Sequence, residues 1–455
     1  MPKFSSRSLE IFHGTCRSLS YLGLGEVPYG DKLVYVPDFY PGEAGEISID
    51  YKRNGQFFGS VRSLEKPSSN RIPSLCPYFG TCGGCLFQDY SYAAELQHKQ
   101  RLIQNQLHRL AGVDVDVLPT LGMEEPLHYR NKIQTHFGLS STMKPTLGFY
   151  RQGSHEVISI SDCRIQDQRA KPILETVLQL VSELRIPVYR EEKKQGYLRH
   201  FLIRTSWKKE EILAVLVTKQ KDFPYKTEFV SRFRAALPQV TTLVQSIRKQ
   251  DDNVILGDQE EILYGPGYIE DELCGLTFRI SAKSFYQTNP LMTEVLYQTA
   301  ISFADLTGEE VVLDAYSGIG TIGLLAAKHA KKVLSVESVP EAVKDAKENA
   351  ERNGIHHFEE VVDDATHYLQ QMAARKALLD VLFMDPPRKG STPEFLEAAK
   401  QLRPKRIIYV SCGPSSLARD IKLLLDIYQI EMVQPVDLFP RTEHVETVVL
   451  LQLKV

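Results

Sequence analysis

The sequence contains no apolar run of the roughly 18 residues that a membrane-spanning helix needs, so no membrane segment is expected. Its opening residues, MPKFSSRSLEIFHG, lack the apolar stretch of a secretory leader, and a cytoplasmic location is expected. Charge of one sign is also missing. The chain has 54 Lys and Arg against 57 Asp and Glu, a formal net charge of −3, and no third of it is strongly basic. Bulk electrostatics therefore does not mark a nucleic-acid binder, and such a role requires a local basic face. No internal repeat and no low-complexity tract is present. Cysteine is sparse, with seven residues, but three of them (Cys76, Cys82 and Cys85) fall within ten positions. In a reducing compartment that clustering points to metal binding or catalysis before disulfides.

What is present suits a soluble protein of several domains: 455 residues, 43% hydrophobic and 24% charged. Residues 1–65 alternate short apolar runs with Gly and Pro, which predicts a small β-barrel. KPSSNRIPS (66–74) is a polar linker. Residues 91–112 carry a helical period, with Leu96, Leu102, Ile103, Leu107 and Leu110. From 128 to about 280, strand-like runs dominate, interrupted by the helical PILETVLQLVSEL. Together 66–280 form a central α+β domain. From 281 to 455 strands and helices alternate: VVLDAYSG, KVLSVE, VLFMDPP and RIIYVSCG end in polar or Gly-rich turns. This predicts a Rossmann-like parallel sheet covered by helices, so the chain is α/β overall.

Ligands of such sheets bind at the carboxyl ends of the strands. The first strand ends at Asp314 and enters AYSGIGTIG, where Gly318 and Gly320 allow a tight turn and close approach to a ligand. The second ends at Glu337, 23 residues later, where a carboxylate suits a ribose diol. The loop reads D-x-x-x-G-x-G and has no P-loop lysine. An acid at that strand end would repel a pyrophosphate, so S-adenosylmethionine fits better than NAD.

VLFMDPPRKG places Asp385 at another strand end, above the cofactor, with paired prolines fixing a rigid exit. In RIIYVSCGPSSLARDIKLLL, Cys412 ends a buried strand just before a helix whose first turn holds Pro414 and Ser415. The helix N-terminus lowers the thiol pKa by less than about one unit, so a positive neighbour or the substrate must add to it. A thiol explains one methylation in particular. Carbon 5 of uracil is a poor nucleophile until a thiolate adds at carbon 6, and a base must later remove the carbon-5 proton. Glu446, at the start of the terminal strand, is the candidate base, with Glu443 and His444 as local competitors. Cys76, Cys82, Cys85 and the distant Cys163 supply four thiolates; their spacing leaves zinc and an iron–sulfur cluster open.

SFYQTN (284–289), DAYSGIG (314–320), DPPRKG (385–390), SCGP (411–414) and HVET (444–447) resemble, in order, the motifs of the RNA uracil-5-methyltransferases. YRNK, GFYRQGSHEVISISDCRIQ and LRHFLIR resemble that family's middle domain, and the N-terminal stretch resembles the OB-like TRAM module. The resemblance implies that Cys412 is the nucleophile and Glu446 the proton acceptor. It implies cofactor contacts at Gln287, Tyr316, Glu337 and Asp385. Ser317 stands where the family often has Cys, a position without a chemical role. The cysteine pattern resembles the [4Fe-4S] site of the longer members, which implies a cluster rather than zinc, in a structural or RNA-positioning role. Those members point to 23S ribosomal RNA, with the uridine flipped out or in a single-stranded loop. No obligate protein partner is implied. The competing readings are transfer-RNA methylation, methylation of a nucleobase amine without a nucleophile, and a non-catalytic RNA-binding module.

Overall fold

The computed structural model describes residues 10–160 and 162–454. Residues 1–9, which carry much of the expectation about a leader and open the 1–65 segment, lie outside the described residues, as does Ser161 within the middle motif.

The Gly- and Pro-punctuated N-terminal stretch forms a six-stranded, mainly antiparallel sheet from Glu10–Thr15 to Gln56–Lys66. Its alternating apolar residues point one way: Val27, Val34, Val36, Ile47 and Ile49 are buried in one small core. Asn54 and Gly55, at φ 47° and 81°, turn the Ala44–Arg53 strand back into Gln56–Lys66. This is the left-handed pair that a two-residue hairpin demands.

The central residues form a seven-stranded mixed sheet. Helices Ala170–Glu183 and Lys226–Ala236 cover one face, where Ile173, Val177 and Phe233 pack on Ile133, Phe201 and Ile203. A separate hairpin, Tyr268–Leu273 with Leu276–Ser281, and the helix Pro290–Ala304 lead into the last sheet.

That sheet has seven strands in the spatial order Phe358–Val362, Lys332–Glu337, Val311–Ala315, Val381–Met384, Arg406–Ser411, Glu446–Leu453 and Tyr428–Val436. All run parallel except Glu446–Leu453, which is antiparallel to both neighbours. The order reverses between Val311–Ala315 and Val381–Met384, which opens a crevice at their carboxyl ends. The α/β class expected from the sequence is the observed one.

The helical segment expected at 91–112 is a helix, Tyr92–Gln106, capped by the Ser91 hydroxyl and continued by a π-helical turn, Leu107–Ala111. It falls within the 66–280 segment of the sequence reading, yet it packs on the C-terminal sheet. Leu102, Ile103 and Leu107 share a buried cluster with Tyr409 and Tyr428. Further on, Leu118 and Leu121 donate backbone N–H groups to Val433 and Pro435 on its edge strand. Among the described residues no helix is long and apolar enough to cross a membrane.

Candidate active site

The crevice holds a cavity of about 700 Å³. Seven of the residues singled out in the last sheet's motifs line it: Asp314, Tyr316, Gly318, Glu337, Asp385, Cys412 and Glu446; Gln287 joins them from the segment before the helix Pro290–Ala304. They come from different strands, and strand polarity is what unites them. Cys412 follows the last residue of Arg406–Ser411. Because the neighbouring strand is antiparallel, its first residue, Glu446, stands at that same edge, where Ser411 pairs with Thr447.

The Gly-rich loop is held from within. Tyr316 sits at φ 64° with its hydroxyl 2.8 Å from that of Ser391. Gly318 takes φ 57° with open space where a Cβ would stand, so its backbone can meet a ligand. Gly320 does not line the cavity. It begins the helix Thr321–Ala327 at φ 81°, and a Cβ there would come within 3.0 Å of Phe358. Asp314 is buried, and its carboxylate accepts the Gly323 N–H at 2.7 Å, inside that helix. The Glu337 carboxylate accepts N–H groups from Gly318 (3.1 Å) and Val339 (2.9 Å), which fixes it at the crevice.

Electrostatics at the reacting end differ from the expectation of a modestly acidified thiol. Burial, then the charges of Glu446 and Asp385, push the Cys412 thiol up to about 11, against a smaller opposing effect of Arg388. Two carboxylates and a low-dielectric wall outweigh the weak field of a helix N-terminus. Glu446 itself is 3% exposed; burial and the nearby Asp385 raise it to about 8. Burial raises Asp385 to about 7. The crevice thus holds a cluster of acids poised near neutrality, as sites of proton transfer do.

Of the competitors to Glu446, His444 reaches the cavity, where its ring nitrogen lies 3.2 Å from the Arg388 guanidinium. Glu443 does not line it. Among the cavity residues not singled out in the sequence are three that lie inside quoted motifs and bear a charge or an exposed ring. Lys132, from YRNK, enters from the central sheet, its amine pushed down to about 8 by burial and the charges of Arg204 and Arg130. Phe285, from SFYQTN, is 65% exposed at the mouth. Arg388, from DPPRKG, is the cation facing Cys412 and Glu446.

The four cysteines lie apart from this crevice. Cys76, Cys82, Cys85 and Cys163 surround a second cavity of about 70 Å³, with Arg130 and Arg164 in its wall. Burial raises the Cys85 thiol to about 12, and the other three cysteines add to the effect. The side chains surround the space without converging: among the described residues, no three His, Cys, Asp or Glu stand close enough to hold a metal ion.

Comparison with known proteins places the chain. The family model described as tRNA (uracil-5-)-methyltransferase matches residues 91–454, so the N-terminal sheet lies outside the match. An uncharacterized RNA methyltransferase of Halalkalibacterium halodurans is 40% identical over 447 residues, 98% of this chain and 97% of that one. One from Oceanobacillus iheyensis is 41% identical over 449 residues, with the same coverage. Among solved structures, the Pyrococcus abyssi tRNA (uracil-54, C5)-methyltransferase bound to S-adenosyl-L-homocysteine is similar with a TM-score of 0.76 and 26% identity. That match covers 97% of this chain and 100% of that one. With a sheet of this order, a crevice at its switch point and relatives of this identity over almost the whole length, the chain belongs to the tRNA (uracil-5-)-methyltransferase family and is an S-adenosylmethionine-dependent RNA methyltransferase.

Proposed function

We propose that the protein methylates carbon 5 of a uridine in RNA through a covalent adduct on Cys412. One observation carries this reading: a thiol and a buried carboxylate, Cys412 and Glu446, meet at the edge of neighbouring strands in the cavity that also contains Glu337 and the Gly-rich loop. S-adenosylmethionine supplies the electrophilic methyl group. Glu337 holds the ribose diol, with Gln287, Tyr316, Gly318 and Asp385 completing the cofactor's surroundings and Asp314 and Gly320 shaping the loop. The exposed Phe285 ring offers a stacking face for a base turned out of its strand. The Cys412 thiol gives its proton to solvent, a loss the Arg388 charge assists against burial and the nearby carboxylates; the thiolate adds to carbon 6, and carbon 5 becomes nucleophilic. After methyl transfer, Glu446 takes the carbon-5 proton; the freed pair forms the ring double bond, and the thiolate leaves carbon 6.

Replacing Glu337 by alanine is expected to weaken binding of S-adenosylhomocysteine roughly 10–100-fold, the worth of hydrogen bonds to a charged group. Isothermal titration calorimetry reads this directly, and unchanged affinity would remove Glu337 from the cofactor site.

Large-subunit ribosomal RNA is the proposed substrate, from the resemblance to the longer family members. The N-terminal sheet offers an RNA-binding face. On one side of the sheet the Tyr51 ring stacks on Phe58 with centroids 5.0 Å apart and Tyr35 beside them; on the other, where Phe57 packs toward the small core, Lys32 and Lys52 flank that ring. The Tyr35, Tyr51 and Phe58 rings suit the stacking of unpaired bases. Transfer RNA is the second reading, favoured by the Pyrococcus enzyme, whose match spans almost all of this chain. Incubation with each RNA and mass spectrometry of nuclease digests is expected to place 5-methyluridine in the ribosomal transcript; methylation of transfer RNA alone would reverse the assignment.

We further propose that Cys76, Cys82, Cys85 and Cys163 hold a [4Fe-4S] cluster, with zinc as the alternative occupant. Four cysteines about one cavity supply the donor type such a group needs once they draw together on it, and Arg130 and Arg164 in its wall would offset the negative charge of the thiolates. Bound, such a cluster would brace the segments that carry its ligands. Protein purified without oxygen is expected to contain iron and acid-labile sulfide in roughly equal amounts; zinc without sulfide would overturn the cluster. The reducing cytoplasm, where free thiols persist, is the proposed compartment.

A further inference from the structure

Residues 437–445 join the edge strand Tyr428–Val436 to Glu446, and they have no sheet partners of their own. Four successive carbonyls are each met by a donor from elsewhere in the chain. The Asn289 side-chain amide donates to Leu438 O at 3.0 Å, and the Lys99 ammonium to Phe439 O at 3.3 Å. The Tyr129 hydroxyl donates to Pro440 O at 2.9 Å. Arg441 O accepts the backbone N–H groups of both Leu86 and Phe87, the residues that follow Cys85.

Arg441 is the knot of this arrangement. Its backbone takes φ 72°, a conformation that arginine adopts only under constraint. Its own N–H donates to Glu95 at 2.8 Å, and its guanidinium donates to the carbonyls of Phe87 and Tyr90. Beneath it, Lys99, 0% exposed, bridges Glu95 and Asp437 at 2.7 Å each. A buried charge network is a poor source of net stability but a specific one, because each member is costly to leave unpaired.

We infer that Arg441 is a positioning residue for proton removal: with its cradle it fixes the 437–445 turn so that Glu446 stands at carbon 5 of the adduct. This rests on the covalent reading above. It also ties the four-cysteine segment, through Leu86 and Phe87, to the base. Cys412 and the Gly-rich loop stand on other strands and meet the turn only indirectly, through His444 against Arg388, so thiol addition and methyl transfer depend on it less than proton removal does.

The test separates the two steps. With Arg441→Gln on ordinary RNA, turnover is expected to fall roughly tenfold or more while covalent protein–RNA adduct accumulates, since small displacements of a catalytic group are costly. Adduct formation on RNA carrying 5-fluorouridine, which halts before proton removal, is expected to change less than about threefold, because Cys412 and the cofactor loop stand on other strands. Tyr129→Phe removes one hydroxyl from the cradle and guards against global misfolding; it is expected to show the same pattern, with turnover down about threefold. Equal slowing of both steps in both variants, or no slowing in either, overturns the inference. Absence of any adduct in the unaltered enzyme on fluorinated RNA would instead overturn the covalent reading.

Discussion

Cys412→Ala is expected to abolish 5-methyluridine formation, by about 10⁴-fold or more, while leaving S-adenosylhomocysteine affinity within about twofold. The size follows from the chemistry. Without sulfur at carbon 6, carbon 5 remains part of an electron-poor ring and no other group in the cavity replaces the nucleophile. The cofactor loop stands on different strands, so binding survives the change. RNA bearing 5-fluorouridine is expected to trap the native enzyme as an adduct that mass spectrometry maps to Cys412, because fluorine cannot leave as a cation. The thiol of the free enzyme, pushed up to about 11, is protonated at neutral pH and is expected to react sluggishly with iodoacetamide. Native-rate 5-methyluridine formation by the alanine variant would eliminate the covalent mechanism; it would leave direct methylation of an amine or another atom as the chemistry to examine.

Glu446→Gln is expected to lower turnover by about 10³-fold and to accumulate adduct on ordinary RNA, since the methylated ring keeps its carbon-5 proton. Gel mobility under denaturing conditions reads the adduct. Loss of turnover without adduct would assign proton removal elsewhere, and His444 is the neighbour in reach. The same substitution has an opposite effect on stability. Glu446 binds its proton more tightly folded, up to about 8, than an ordinary carboxyl near 4.5. The folded state therefore holds more protons than the unfolded one between those values, and stability falls as pH rises through that window. Glutamine carries no such cost. The variant is expected to unfold at higher denaturant than the native enzyme at pH 8 and above, by roughly 2–4 kcal/mol, and to match it near pH 4. Identical midpoints at high pH would show that the carboxylate is not desolvated.

Much of the site was legible one strand at a time. A parallel strand exposes its last residues at one edge of the sheet, so an apolar run followed by Asp, Glu or Cys already names a crevice residue. Asp314, Glu337, Asp385 and Cys412 were found in this way, and the Gly-rich loop beside them. The Gly and Pro punctuation of the N-terminal stretch was equally plain, because such residues set their own backbone conformations.

Tertiary structure decided whatever depends on which segments become neighbours. That Glu446 lines the crevice and Glu443 does not turns on the terminal strand being inserted antiparallel beside Arg406–Ser411, which brings its first residue to the crevice edge. Strand order and direction leave no local mark on the alternation of apolar residues. The turn of the Asp314 carboxylate toward Gly323, the arrival of Lys132 from another sheet and the packing of Tyr92–Gln106 on the C-terminal strands are of the same kind. The chain alone specified which side chains could do the chemistry, since reactivity and short-range geometry belong to the residue. Packing alone specified which of them meet and in what charge state, since burial and proximity belong to the fold.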